Sequence, residues 1–85
     1  MALFRVECAG VRIEIWEVDH GPPHCHIGGL QKGGSVVVDL LTLRVTRPSG
    51  LSLPPAVGRC LRDNQTAMIE AWAQVISYPN RGESS

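Results

Sequence analysis

The residues best suited to chemistry lie within one short stretch, HGPPHCH at positions 20–26, which holds all three histidines of the chain. Side chains two positions apart on a β-strand point to the same face, so His24 and His26 are predicted to project together while Cys25 faces the core. Two imidazoles on one face could bind a transition metal ion, contact a phosphate group or transfer protons near neutral pH.

A metal site would need ligands beyond this pair. His20 could approach from the preceding loop, and either Asp19 or Asp39 could supply a carboxylate. The spacing H-x3-H-x-H matches no established zinc signature, however, and no fourth ligand stands at a recognisable spacing. The sequence therefore favours a stiff proline turn, locked by imidazoles that bond loop carbonyls. It predicts no cofactor unless that cofactor is a divalent transition metal.

The same histidines, His20, His24 and His26, are the candidates for a catalytic role. They could act as the acid and the base of phosphodiester cleavage, with or without a metal ion. Cys25 is not expected to act as a nucleophile, because neighbouring residues on a strand point to opposite faces. An enzymatic role is therefore left open, and binding is the preferred interpretation.

Other candidate binding residues lie on either side of this stretch. Residues 40–62 contain four arginines and no acidic residue. Arg44 and Arg47 could therefore contact phosphates, although arginines spread over a loop and a helix are also typical of a solvated surface. Trp16 is predicted on the outer face of a strand, where it could stack on a base or contact a partner. Trp72 fits the apolar stripe of a helix and is expected in the core.

The strands that must position these residues follow from the alternation of apolar and polar side chains. This alternation predicts a hairpin over residues 3–18 that turns at Ala9-Gly10, a strand that starts at His24 and ends at Gly28-Gly29, a β-branched strand over 35–40 and a short strand from Leu43. The Pro22-Pro23 pair cannot lie in a central strand, so residues 19–23 are predicted to form a loop. A second turn is expected over residues 31–34.

One helix follows the strands. A 3.6-residue apolar period predicts that it begins at Pro55 and runs to about Ser77, with a stripe formed by Val57, Cys60, Leu61, Asn64, Met68, Trp72, Val75 and Ile76. The predicted fold class is α+β: a small meandering antiparallel sheet of four to five strands, with one long C-terminal helix packed across one face. Residues 1–79 are expected to form this single domain, followed by a flexible tail over 80–85.

Composition limits the class of protein. The formal net charge is zero, and no apolar run approaches the roughly 20 residues of a membrane span. The N-terminal residues lack the pattern of a signal peptide, so a cytoplasmic location is predicted. Cys8, Cys25 and Cys60 are odd in number and widely spaced, so reduced thiols are expected.

The sequence resembles a mostly bacterial family catalogued as domain of unknown function 4160, over about residues 3–76. The resemblance rests mainly on the element D-H-x-P-P-H-x-H at 19–26, and also on VDLLTLRV at 38–45 and EAW at 70–72. It implies a compact α+β domain in which His24-Cys-His26 occupies a position that family members share. It also implies a setting in toxin–antitoxin-type or mobile-element gene pairs.

Taken together, these features predict a small cytoplasmic bacterial interaction module. It would bind a partner protein or a nucleic acid through the face that carries His20, His24 and His26. The alternative is a histidine-based ribonuclease or phosphodiesterase, metal-free or metal-assisted. Exposed edge strands of a small sheet also favour self-association, so a homodimer is expected, with no membrane partner.

Overall fold

A computed structural model describes residues 2–31 and 34–77 and shows the α+β fold predicted from the sequence. In chain order the elements are β1 (Ala2–Cys8), β2 (Val11–Trp16), β3 (Val18–Asp19), β4 (His24–Gln31), β5 (Gly34–Asp39), β6 (Val45–Arg47), α1 (Pro55–Trp72) and β7 (Ile76–Ser77). Five strands form an antiparallel sheet in the order β1-β2-β4-β5-β6, and α1 packs against β1 and β2. The predicted tail over 80–85 and the centre of the predicted 31–34 turn lie outside the described residues.

The β1–β2 hairpin turns where the sequence predicts it. Cys8 pairs with Val11, so Ala9 and Gly10 form a two-residue turn, and both have positive φ, 56° and 79°. Two-residue turns of this kind match the right-handed twist of the flanking strands. The hairpin therefore sets the start of β2, whose inward residues Ile13 and Ile15 are fully buried.

The side chains of β4 alternate as predicted, and this alternation divides core from site. Cys25 and Ile27 are completely buried in the hydrophobic core, whereas His24 and His26 do not belong to it. The strand is longer than predicted, because it continues through Gly28 and Gly29 to Gln31. Gly29 has a φ of 92°, and the register of β4 against β5 shifts between Ile27 and Gln31, so a bulge absorbs the glycines and pairing resumes beyond them.

One core lies between the sheet and the helix. The fully or nearly fully buried side chains come from β2, β4, β5 and α1 and include Ile13, Ile15, Cys25, Ile27, Val36, Val38, Val57, Leu61 and Met68. Apolar burial at these positions is the main force that holds α1 on the sheet. None of the described helical residues forms a segment with the length and hydropathy of a membrane span.

The predicted end of the helix at about Ser77 is wrong. The helix stops at Trp72, residues 73–74 form a turn, and Ile76–Ser77 becomes a short strand. This strand, β7, pairs in parallel with β3, so that Val18 lies opposite Ile76 and Asp19 opposite Ser77. The apolar period that continues to Ile76 indicated a helix, but β-branched residues at 75 and 76 also favour extended backbone, and pairing with β3 provides ladder hydrogen bonds. The C-terminal end of the domain consequently fixes the strand that carries Asp19.

The prediction that all cysteines are reduced is also wrong. Cys8, at the end of β1, forms a disulfide with Cys60 of α1, with 6.3 Å between the two Cα atoms. Cys25 stays a free, buried thiol. The two bonded residues are 52 positions apart, so their proximity depends on how α1 packs over β1 and could not be read from spacing. Because stable disulfides are typical of oxidising compartments, the cysteines no longer support a cytoplasmic location.

Candidate functional site

A solvent-open cleft lies beside the start of β4, and we call it the histidine cleft. Its volume is about 280 Å³, and its lining includes Asp19, His20, His24, His26, Asp39 and Arg47, together with the loop at 21–23. The cleft therefore gathers all three histidines of the chain in one place, as the sequence predicts.

Three of these side chains converge on one point, and we call them the Asp–His cluster. The Oδ2 atom of Asp19 lies 3.1 Å from Nε2 of His24 and 3.2 Å from Nε2 of His26. Each residue offers one ligand atom, and all of these atoms lie within 4.8 Å of one another. An arrangement of two imidazoles and one carboxylate can share a proton, or it can bind a metal ion.

Asp19 is held from two sides. Its backbone belongs to β3, which β7 fixes, and its side chain is only 11% exposed. Its Oδ1 atom accepts the backbone N–H of His20 at 2.8 Å, which leaves Oδ2 for the imidazoles. Burial on its own would raise the pKa of Asp19. The hydrogen bonds from His20 and His26 and the two nearby imidazoles outweigh burial, so the pKa lies below its ordinary value.

His24 is oriented by the proline loop. Its Nδ1 donates a hydrogen bond to the carbonyl oxygen of Pro22 at 2.9 Å, because a carbonyl can only accept. The neutral form of His24 therefore carries its proton on Nδ1 and directs the Nε2 lone pair towards Asp19. Neither Pro22 nor Pro23 follows a cis bond; among the described residues the cis bond is Arg47–Pro48. The proline loop therefore has a structural role, and it also orients a histidine of the cleft.

His26 has the more buried side chain, 11% exposed against 14% for His24. Its Nε2 hydrogen-bonds to Asp19, while its buried Nδ1 has no hydrogen-bond partner among the described residues. Burial lowers the pKa of His26 and outweighs the opposing effect of the Asp19 hydrogen bond. His26 is therefore expected to be neutral at physiological pH.

Two indole rings flank the imidazoles. Trp16 stacks on His26 with ring centroids 3.6 Å apart and planes 7° from parallel, and Trp72 lies 5.0 Å from His24 by the same measure. Trp16 is 42% exposed on the outer face, but its ring covers an imidazole of the site itself. Trp72 is half-buried against the core, and its contact with the site was missed, because its place in the helix stripe explained it sufficiently.

The other predicted ligands are placed differently. Asp39 accepts the backbone N–H groups of Leu41 and Thr42 at 2.7 and 2.9 Å, so its carboxylate stabilises a turn. His20 lines the cleft, but its side chain is not one of the three that form the Asp–His cluster. Of the two carboxylates that the sequence offers, the structure brings Asp19 to the histidines.

The two predicted arginines separate. Arg47, on β6, lines the histidine cleft. Arg44 instead borders a shallow depression with Leu43, Val45, Leu51 and Leu53. The basic segment at 40–62 therefore contributes Arg47 to the cleft, and Arg44 faces different neighbours.

Cys25 behaves as the strand pattern predicts. It is completely buried, and burial raises the pKa of its thiol to about 12. Because the thiolate is the nucleophilic form of cysteine, Cys25 is chemically inert near neutral pH.

The chain matches no model of a known protein family, no curated protein and no solved structure.

Proposed function

We propose that the protein is a small binding module that engages a partner protein or a nucleic acid through the histidine cleft. The observation that supports this proposal is the collection of His20, His24, His26 and Arg47 around one solvent-open cleft. The guanidinium of Arg47 provides hydrogen bonds and positive charge to acidic side chains and to phosphates alike, whereas the Nε2 atoms of His24 and His26 contact Asp19. We also propose a bacterial gene-pair setting, which the resemblance to family 4160 implies, and the product of the adjacent gene is the first partner to test.

Binding is preferred over covalent catalysis because, among the described residues near the cleft, the thiol of Cys25 and the hydroxyl of Thr46 are engaged elsewhere. Cys25 is buried in the core. The hydroxyl of Thr46, which lines the cleft, donates to the carbonyl of Val37 at 3.3 Å. A nucleophilic mechanism needs an accessible group beside a base, and neither side chain meets this requirement.

A second candidate function is phosphodiester hydrolysis by an activated water molecule. It is favoured by the presence of two imidazoles and Arg47 in the same cleft, since proton transfer and phosphate binding would then occur side by side. Cleavage of labelled single-stranded RNA that disappears in His24→Ala and His26→Ala would support this alternative over simple binding.

The experiment that tests binding compares two arginine variants. Fluorescence anisotropy with labelled single-stranded RNA and DNA should show weaker binding by Arg47→Ala, by about tenfold, than by the wild type. Arg44→Ala, outside the cleft, is the matched control and should bind within about twofold of the wild type. Phosphate contacts also require that affinity fall steeply with salt concentration.

If nucleic acid does not bind, the same variants are tested by co-expression with the adjacent gene product. Complex formation that depends on Arg47 or His20, but not on Arg44, would support a protein partner. Failure of all of these arms would contradict the proposal.

We further propose that the protein forms a homodimer in the cytoplasm. The edge strands β1 and β6 of the main sheet support self-association. The Cys8–Cys60 disulfide is an observation against a cytoplasmic location. Alkylation of free thiols inside living cells before lysis tests whether this disulfide is present in the cell.

A further inference from the structure

We propose that Asp19, His24 and His26 bind one divalent transition-metal ion, of which zinc is the reference case, with the remaining coordination positions open to the histidine cleft. This metal site would exist whatever the identity of the partner.

Two of the three separations between the ligand atoms match those on a zinc ion. Zinc bonds to nitrogen and oxygen at about 2.0–2.2 Å, so two ligand atoms on a tetrahedral ion lie about 3.3 Å apart. The two nitrogen–oxygen separations in the cluster are 3.1 and 3.2 Å. The two imidazole nitrogens lie within 4.8 Å of each other, so an ion bound by all three atoms would require the imidazoles to turn towards it.

The second feature is the orientation of the His24 ring. Since Nδ1 donates to Pro22, a neutral His24 points its Nε2 lone pair at a carboxylate oxygen 3.1 Å away. A metal ion between the two atoms would be bound by this lone pair and by the carboxylate oxygen. A ring nitrogen that donates to a backbone carbonyl while the other faces the ion is also the usual arrangement of a metal-binding histidine.

The carboxylate of Asp19 is already oriented for metal binding. Asp19 uses Oδ1 for the backbone N–H of His20 and leaves Oδ2 facing both imidazoles. Hydrogen bonds of this kind orient a ligand before the metal arrives. His26 lacks the equivalent support, because its Nδ1 is buried without a partner among the described residues. His24 and Asp19 are therefore the better prepared ligands, and His26 the weaker one.

The donor set indicates the class of ion. Imidazole nitrogens suit zinc, copper, nickel, cobalt and ferrous iron, whereas calcium and magnesium prefer oxygen ligands. Three protein ligands leave at least one position free, as in sites that exchange water or a ligand, in contrast to closed structural sites with four. Here the free position would face a cleft that also contains Arg47, so an anionic group of a partner could complete the coordination.

The test uses the full chain without an affinity tag, stripped of metal with a chelator. Cobalt(II) is the probe, because its visible absorption reports coordination number, and zinc should displace it. We expect one saturable site per chain. We also expect quenching of tryptophan fluorescence by cobalt, since both tryptophans of the chain lie against the two imidazoles.

The variants locate the ion. Asp19→Asn and His24→Gln should each weaken cobalt binding by more than about 100-fold, which exceeds the range of about 10–100-fold for residues that only orient ligands. His26→Gln should weaken binding by a smaller factor. Asp39→Asn, in the same cleft but outside the cluster, is the matched control, since Asp39 Oδ1 already accepts two backbone N–H groups, and it should stay within about threefold of the wild type.

Near-ultraviolet circular dichroism checks that each variant is folded. If Asp19→Asn does not fold, Asp19→Glu replaces it, because glutamate keeps the negative charge but moves the carboxylate away from the imidazoles. A wild-type protein that shows no saturable cobalt binding up to millimolar concentration would overturn the proposal. So would folded Asp19→Asn and His24→Gln variants that bind like the wild type. Partner binding measured with and without chelator is scored separately, so that failure of the metal site and failure of the binding module are distinguished.

Discussion

Asp19 and His26 are seven residues apart in the chain, and their side chains meet in a buried contact of 3.2 Å between Oδ2 and Nε2. Asp19 lies on β3, which pairs with β7, whereas His26 lies on β4 in the middle of the five-stranded sheet. The contact therefore joins the small sheet to the large one.

The first prediction concerns stability without metal. Asp19→Ala removes the partner of two largely buried imidazoles, and buried polar groups left unpaired cost about 1–3 kcal/mol each. Urea denaturation in the presence of chelator should therefore give a free energy of unfolding for Asp19→Ala that is lower than the wild-type value by at least about 1–3 kcal/mol. Asp63→Ala, on the exposed side of α1, is the control and should change the unfolding free energy by less than about 0.5 kcal/mol. Equal effects of the two variants would contradict a stabilising role for the Asp19 contacts.

The second prediction is a dependence of metal-free stability on pH. His26 has a lowered pKa in the folded protein, so the unfolded chain takes up its proton first. Stability is complete above the unfolded value of about 6.5 and falls as the pH drops from there towards the folded pKa. Asp19 also has a lowered pKa, so its contribution is present above about pH 3.9 and is lost as the pH falls through its folded pKa.

Urea unfolding between pH 8 and 3 measures this profile. His26→Gln should flatten the decline that begins near pH 6.5 and leave the one at lower pH. Arg44→Gln, at an exposed position outside the cleft, should retain both stages. A wild-type profile that is flat between pH 7 and 5 would show that burial of His26 has no energetic effect.

The third prediction concerns the disulfide. Cys8 and Cys60 are 52 positions apart, and closing a loop of that length in the unfolded chain stabilises the fold by about 4 kcal/mol in the chain-entropy account. A phosphine reductant should lower the unfolding free energy by about that amount. The Cys8→Ser/Cys60→Ser double variant should resemble the reduced wild type and not respond to reductant. Three alkylatable thiols in the denatured, unreduced protein would contradict the bond.

The fourth prediction tests how β7 supports the site. A chain that ends after Val75 lacks β7, so β3 loses its partner strand, while the main sheet and α1 are retained. We expect near-native circular dichroism and weaker cobalt binding by about tenfold or more, as for loss of a residue that orients a ligand. A chain that ends after Ser77 keeps the pairing and serves as the matched control. Equal cobalt affinities for the two chains would show that β3 holds Asp19 without help.

The sequence predicts those features that depend on local periodicity. Alternation along β4 was sufficient to place His24 and His26 together and Cys25 in the core, and the 3.6-residue period located the helix. The choice between Asp19 and Asp39 was not accessible in this way. It depends on the pairing of β3 with a strand more than fifty residues later, and on a turn in which Asp39 binds backbone N–H groups. The disulfide was missed for the same reason, since it reports the packing of α1 on β1 and not a spacing.

The disulfide also has a topological consequence. Cys8 and Cys60 close a covalent ring that contains β2 to β6, and every residue named in the lining of the histidine cleft lies between them. A single proteolytic cut inside the ring, for example at Leu41, which is 64% exposed, would open the ring without dividing the molecule. On a denaturing gel the nicked protein should migrate as one species until a reductant is added, and only then separate into two fragments.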